Sequence, residues 1–335
     1  MKAVVCTRFS EDLSGLQYMD WEPPTIKAGM VRVKLFGGGV NFADLLAISG
    51  KYHENVAPPF VLGTEGCGII AECAPDVSNF SPGDRVMIQN NVVRGCLADE
   101  ICVPAIKIVK VPSGVSNSVA AGFPINWGTA WHALKNCGQI QSGQVLVVHG
   151  ASGGVGLAAV QIGKYLGATV IATGGSDQKL ELVRGDGADH VVNYRTENLV
   201  ERILEITGGR GADCFYDPVG GDIFDSSLKA IAYDGRLLVI GFTSGRIPSV
   251  SANRILFKGI SVIGAGLGGY TKRHPDKWAL MMGEILNLTA QGVLRPRIYK
   301  TLHLSQVVDA LQLVRDREVV GKCVLLSDLG KSHST

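Results

Sequence analysis

Residues 145–156 read V-L-V-V-H-G-A-S-G-G-V-G, and apolar residues at helical spacing follow to about residue 166. Four apolar residues run into a glycine-rich turn that opens a helix. Such a turn brings bare backbone N–H groups to a pyrophosphate at the positive end of the helix. The spacing is Ala151-x-Gly153-x-x-Gly156, with alanine where the dinucleotide fingerprint has its first glycine. Gly153 would let the backbone approach phosphate, and Gly156 would let the helix pack close to the strand. The N–H groups of Ser152, Gly153, Gly154 and Val155 are therefore expected to hold the diphosphate of a nicotinamide nucleotide.

A site for NADH carries Asp or Glu about 20 residues beyond the glycines, bonded to the ribose hydroxyls. Here that position falls on glycine: residues 172–179 read A-T-G-G-S-D-Q-K. Gly174 leaves room for a 2′-phosphate, Ser176 can donate a hydrogen bond, and Lys179 supplies positive charge. Asp177 argues against this unless it points away as a helix cap. Tyr194 would flank the adenosine phosphate. The expected cofactor is NADPH.

These groups need elements to position them. Short β-type runs at 31–36, 68–73, 85–89 and 106–111, separated by turn signals such as 81–84 and 112–114, give the first 120 residues the texture of a β-rich domain. Beyond them strands and helices alternate through a last strand from Ser261 to Ala265, the pattern of a doubly wound parallel sheet. A long helix from Pro275 to Gly292, a second capped by Ser305, and a strand at 323–327 return the chain to the first domain. The expected organisation is 1–120 and 266–335 for the β-rich domain and 121–265 for the cofactor domain. A domain inserted in this way leaves a cleft, where small-molecule sites are favoured.

The chain has 335 residues, enough for two domains, and its net charge of +2 is spread without a basic stripe. Nucleic acid and anionic membranes are not expected partners. No apolar run approaches the roughly 20 residues of a membrane span, and no targeting segment precedes the first strand, so a cytoplasmic location is expected. None of the eight cysteines forms a C-x-x-C pair. They are expected to be buried rather than ligating or bridged.

Several further segments, in order along nearly the whole chain, resemble one family. They are G-V-N-F-A-D at 39–44, S-G-K-Y at 49–52, L-G-T-E-G at 62–66, P-G-D-R-V at 82–86, G-T-A at 128–130, D-P-V-G-G at 217–221 and G-K at 321–322. With the glycine turn they are similar to the medium-chain dehydrogenases/reductases, and more narrowly to their zinc-free, ζ-crystallin-like quinone oxidoreductases. The resemblance implies an α/β protein: a GroES-like catalytic domain in two segments around a Rossmann domain. It also implies a homodimer paired through Ser261 to Ala265. Gly241-Phe242, within G-F-T-S-G, fits the quinone oxidoreductase-like group and adds to the expected cofactor contacts.

Zinc-dependent relatives carry a cysteine in the first of these turns and Gly-His-Glu in the third. Here the positions read Asn41 and Gly63-Thr64-Glu65, and the structural lobe of four close cysteines is reduced to Cys96. Without thiolate or imidazole ligands at workable spacing no metal site is expected. An acceptor whose own π-system takes up charge, a quinone or an α,β-unsaturated carbonyl, suits such a cleft. The protein would mainly hold the ring and acceptor in line.

By the resemblance, Asn41, Tyr52 and Thr129 are the expected catalytic residues, with Asn41 and Thr129 also touching the nicotinamide half and Arg317 near the adenosine phosphate. Asn41 could bind the nicotinamide ribose or the acceptor oxygen, and Tyr52 could supply a proton. Leu46 departs from an aromatic found near the nicotinamide in some members, and residues 89–97 match no pattern and are expected to help shape the acceptor pocket. The leading expectation is an NADPH-dependent quinone reductase. The alternatives are a reductase of enones or 2-enoyl thioesters and, in another class, an NADPH-binding structural or regulatory protein.

Overall fold

The structure is a computed structural model describing residues 1–52, 56–90 and 95–333. Of the loop at 89–97, residues 91–94 lie outside the described residues. The chain divides into two compact units, Asn126–Leu267 and the combination of Met1–Ile125 with Gly268–Thr335.

The unit Asn126–Leu267 holds six strands in the spatial order His190–Asn193, Thr169–Gly174, Val145–Val148, Ala212–Asp217, Ile231–Val239 and Ser261–Gly264, with every neighbouring pair parallel. In chain order this is 3-2-1-4-5-6, the doubly wound α/β arrangement expected from the alternating pattern. The strand Val145–Val148 is apolar throughout because helices cover both faces of such a sheet. Val147, Ile171, Val192, Phe215 and Leu237 pack with Ile203 and Phe224 into one core. Each such side chain contributes about 1.5–3 kcal/mol by leaving water.

One polar chain runs through this core. Ser227 gives its hydroxyl hydrogen to the Ile223 carbonyl at 2.8 Å, so it accepts from Nε2 of His149, also at 2.8 Å. Nδ1 of His149 then accepts from Thr173 Oγ1 at 2.8 Å. Burial favours the neutral imidazole and lowers its pKa, with Asp217 partly opposing. Protonation therefore favours the unfolded chain. His149's contribution is complete above the ordinary histidine pKa of about 6.5 and is lost as pH falls below it. Thermal midpoints measured from pH 7.5 to 5 should fall in the wild type and fall less in His149→Gln; equal slopes would refute the assignment.

The other unit is built on a seven-stranded sheet. Its main path runs Ile298–His303, Lys322–Leu326, Met30–Gly39, Glu65–Cys73, Arg85–Gln89 and Ile108–Lys110, with Glu100–Pro104 also paired to Met30–Gly39. A smaller antiparallel sheet joins Leu16–Asp20, Lys2–Cys6 and Phe60–Val61. The strand Met30–Gly39 ends in three glycines, and neighbouring strands press on them from both sides. A Cβ on Gly38 would lie 2.7 Å from the Glu65 carbonyl oxygen, and one on Gly39 would lie 2.5 Å from Glu65 Oε1 and 2.6 Å from Lys322 Cε. The glycines thus allow three strands to converge where the helix Phe42–Ile48 begins.

Ser305 does not cap a helix. It lies inside the 3₁₀ turn Leu304–Gln306, its N–H bonded to Nδ1 of His303, and the α-helix starts only at Val307. The imidazole took the capping work that the sequence pattern assigned to serine.

Candidate functional site

In the parallel-sheet unit the glycine turn leaves the first strand at its carboxyl end. Gly150 takes the left-handed conformation at φ +56°, one residue before the fingerprint position that Ala151 occupies. Gly153 is the N-cap of the helix Gly154–Tyr165. The first-turn N–H groups of Gly154, Val155 and Gly156 have no carbonyl within the helix to bond, which makes this an anion-binding end. A Cβ on Gly156 would run into the Gly150 carbonyl and lie 2.8 Å from Cα of Ala151. Helix and strand-end thus approach each other at Gly156.

Asn126 is a residue the sequence reading missed. It is buried on the helix Pro124–Trp131, and a Cβ on Gly154 would collide with its amide. Thr129, one turn further along the same helix, is also buried. Trp127 and Trp131 are buried, and Trp131 stacks on Tyr165 with ring centroids 5.9 Å apart. Beyond Trp131 the helix widens into a π-helical turn, His132–Cys137, unannounced by any capping signal.

The ends of the second and third strands bring the adenosine-side residues together. Gly174 is buried, and Ser176 is the N-cap of the helix Asp177–Gly185 without spending its hydroxyl on the cap. Asp177 is held by the Asn193 amide, Nδ2 to Oδ1 at 2.8 Å, in the first helical turn. Tyr194 and Arg195 close over the neighbouring glycine. A Cβ on Gly175 would lie 2.9 Å from Nε of Arg195 and 3.3 Å from Cε2 of Tyr194. Arg195 is thus a second cation at this end, beside Lys179, and its signal was the basic residue directly after Tyr194. Gly241 and Phe242 follow the fifth strand, where Thr243 N–H bonds the Pro218 carbonyl at 3.1 Å.

In the other unit a buried polar cluster surrounds Asn41. Its Nδ2 donates to Glu65 Oε1 at 2.8 Å and to Thr64 Oγ1 at 3.3 Å, and its Oδ1 accepts from Lys322 Nζ at 2.6 Å. Lys322 Nζ is also 2.5 Å from Glu65 Oε1, and Glu65 Oε2 accepts the N–H of Ile125 at 2.7 Å. Asp44 accepts the Asn41 N–H at 2.7 Å through Oδ2. Burial pushes the Asp44 carboxyl up to about 7, with the Asn41 N–H and Lys322 opposing and Glu65 adding.

Tyr52 is half-buried against the apolar cluster that includes Val4, Ile48 and Phe60. Arg317 is exposed, with φ +59°, just past the helix Val307–Arg315. Asn41, Tyr52 and Arg317 belong to this unit, and the other named cofactor residues belong to the parallel-sheet unit.

The chain matches the profile described as "Alcohol dehydrogenase GroES-like domain" over residues 27–123 and the one described as "Zinc-binding dehydrogenase" over 154–286. It is 35% identical over 326 residues to a quinone oxidoreductase-like protein 2 homolog of Nematostella vectensis, covering 97% of this chain and 88% of that protein. The chain belongs to the medium-chain dehydrogenase/reductase family, in its quinone oxidoreductase group. Escherichia coli quinone oxidoreductase, solved as a complex with NADPH, superimposes with a TM-score of 0.91 at 28% identity, covering 97% of this chain and all of that one (100%). A 2-haloacrylate reductase gives a TM-score of 0.86 at 27% identity, covering 98% and 100% of the two chains.

The family profile's zinc does not fit these residues. Asn41, Thr64 and Glu65 offer no sulfur or imidazole, and a lysine ammonium already sits against the carboxylate. Among the described residues no three His, Cys, Asp or Glu side chains gather as a metal site. Cys67 and Cys96 are buried free thiols, and burial pushes Cys67 up to about 12. NADPH does fit: the glycine turn offers N–H groups, and the second strand ends on glycines followed by Lys179, with Arg195 close to Gly175 and Asp177 tied to Asn193. No helix among the described residues is long and apolar enough to cross a membrane.

Proposed function

We propose that this medium-chain oxidoreductase is an NADPH-dependent quinone reductase working without zinc. The observation that carries the cofactor is the end of the second strand, where glycines, Lys179 and Arg195 stand in place of a ribose-binding acid. NADPH supplies hydride when bound. The diphosphate would rest on the N–H groups of Ser152, Gly154 and Val155; the Gly153 N–H, expected from the sequence to join them, is instead bonded to the Gly150 carbonyl at 3.0 Å, so Gly153 serves the site by its lack of a side chain. Gly174, Ser176, Lys179, Tyr194, Gly241, Phe242 and Arg317 would hold the rest of the nucleotide. The catalytic set is Asn41, Tyr52 and Thr129, with the Tyr52 phenol bonding the acceptor oxygen and giving it a proton. A quinone suits a site lacking soft metal ligands, because its own π-system takes up the added charge. Steady-state oxidation of NADPH by ortho- and para-quinones tests this; a chain that turns over none of them is not a quinone reductase.

The structural likeness to a 2-haloacrylate reductase supports a second reading, reduction of an activated C=C bond. Product analysis with small enones, 2-haloacrylate and 2-enoyl-CoA separates the two.

Lys179→Ala and Arg195→Ala should each weaken NADPH by about tenfold, the order of one charge-assisted contact, and leave NADH unchanged. The ratio of kcat/KM for the two cofactors reads this. Equal losses for both cofactors would remove these cations from the 2′-phosphate.

The working unit is proposed to be a homodimer paired through Ser261 to Ala265. Ser261–Gly264 is the edge strand of its sheet, and the helix before it exposes Leu256 (76%) and Phe257 (68%). An open strand edge beside an apolar patch is a pairing surface. A monomeric mass by light scattering would refute it.

A further inference from the structure

Lys322 opens the strand Lys322–Leu326 with its side chain almost wholly inside the protein, and the acid that meets it, Glu65, is fully buried. Strand register sets the meeting. Val324 pairs with Gly39 and Cys323 bonds Val40, so Lys322 comes opposite Asn41, while Gly66 opposite Gly38 brings Glu65 beside Gly39. Room for the lysine stem comes from missing side chains, since a Cβ on Gly122 would lie 2.7 Å from Lys322 Cγ. Stability does not account for the arrangement. A buried ion pair generally stabilises no better than apolar residues of the same size.

What the pair does is fix an amide. Both Nδ2 hydrogens of Asn41 are directed at Glu65 and Thr64, and Oδ1 faces the ammonium. The flipped amide would set an NH2 group against a donor-only ammonium and a carbonyl oxygen against a carboxylate. Only one orientation is compatible with its neighbours.

We infer that Lys322 is a positioning residue for the reaction, locking the Asn41 amide so that its remaining hydrogen-bonding capacity is a lone pair on Oδ1. Asn41 therefore meets its ligand as an acceptor. It takes a hydroxyl or N–H of the nucleotide and gives no hydrogen bond to the carbonyl oxygen of the acceptor. This rests on the proposed function and narrows it: Asn41 orients the cofactor, and the carbonyl is left to another donor.

The test is a double-mutant cycle of Asn41→Ala and Lys322→Met. It is read on the dissociation constant of NADPH, by fluorescence, and on kcat/KM with 1,4-benzoquinone. Lys322→Met should weaken NADPH by about tenfold, a typical cost of losing one well-placed hydrogen bond, and should cost less than twofold more once Asn41 is gone. Because Lys322→Met strands Glu65, the cycle is repeated with Glu65→Gln combined with Lys322→Met, which removes both charges. With the oxygen of the new side-chain amide on Ile125 its NH2 group faces Asn41, so the Asn41 amide is released from both sides and the same non-additivity with Asn41→Ala is expected. Additive losses, or no loss in either background, overturn the role. Absence of quinone turnover in the wild type with a non-additive binding cycle sinks the quinone reading and leaves Lys322 as the residue that positions Asn41 toward NADPH.

Discussion

Gly156→Ala should raise the dissociation constant for NADPH by about 100-fold, or about 2.7 kcal/mol. The added methyl would collide with the Gly150 carbonyl and lie 2.8 Å from Ala151 Cα and 2.9 Å from the Gly150 carbonyl carbon. All three neighbours are backbone atoms, so no side chain can turn aside. Overpacking of this kind costs about 1–3 kcal/mol, and here the segment that must yield carries the N–H groups proposed to hold the diphosphate. Gly154→Ala provides the contrast. Its methyl meets the amide of Asn126, the end of a side chain, which can move. Isothermal titration of both variants should show a clearly larger loss for Gly156→Ala. Equal, small losses would mean that the turn tolerates displacement and does not hold the diphosphate.

The second large effect is on stability. Glu65→Gln should destabilise the protein by about 3–5 kcal/mol, because it leaves the Lys322 ammonium buried without its counter-charge. The partner is 2.5 Å away, and its carboxylate is fully inside the protein. Combining Glu65→Gln with Lys322→Met should recover most of that loss, since both charges then disappear and the Ile125 N–H keeps an oxygen to bond. Denaturant unfolding of wild type, single and double variants measures this. A double variant no more stable than the single would show that the pair is required for folding itself, beyond the balance of charge.

Much of the site was readable from short stretches of chain. The doubly wound sheet followed from alternating apolar runs and glycine turns, because strand and helix periodicities are properties of neighbouring residues. The glycine at the acid position, with Lys179 downstream, pointed to NADPH for the same reason. Asp177 was ambiguous in the sequence, and only its bond to Asn193, 16 residues on, took it out of the argument. Arg195 and Asn126 were missed. Neither belongs to a spacing pattern, and each matters through what it touches, Gly175 and Gly154 respectively. Ser305 misled because a serine before an apolar run reads as a cap, while the helical turn begins earlier, with the imidazole of His303 accepting the N–H of Ser305 itself.

The sequence by itself determined the local chemistry: a glycine turn of the kind that suits a diphosphate, a second-strand end without a ribose-binding acid, and Asn41 and Thr64 where zinc-dependent relatives carry cysteine and histidine. Each depends on residues close along the chain, whose geometry is limited by dihedral angles and hydrogen-bond reach. Tertiary structure decided which way Asn41 faces. Its oxygen meets an ammonium 281 residues away and its nitrogen a carboxylate 24 residues away. Contacts over such separations are set by strand register and by glycines that let three strands converge, and no local spacing encodes them.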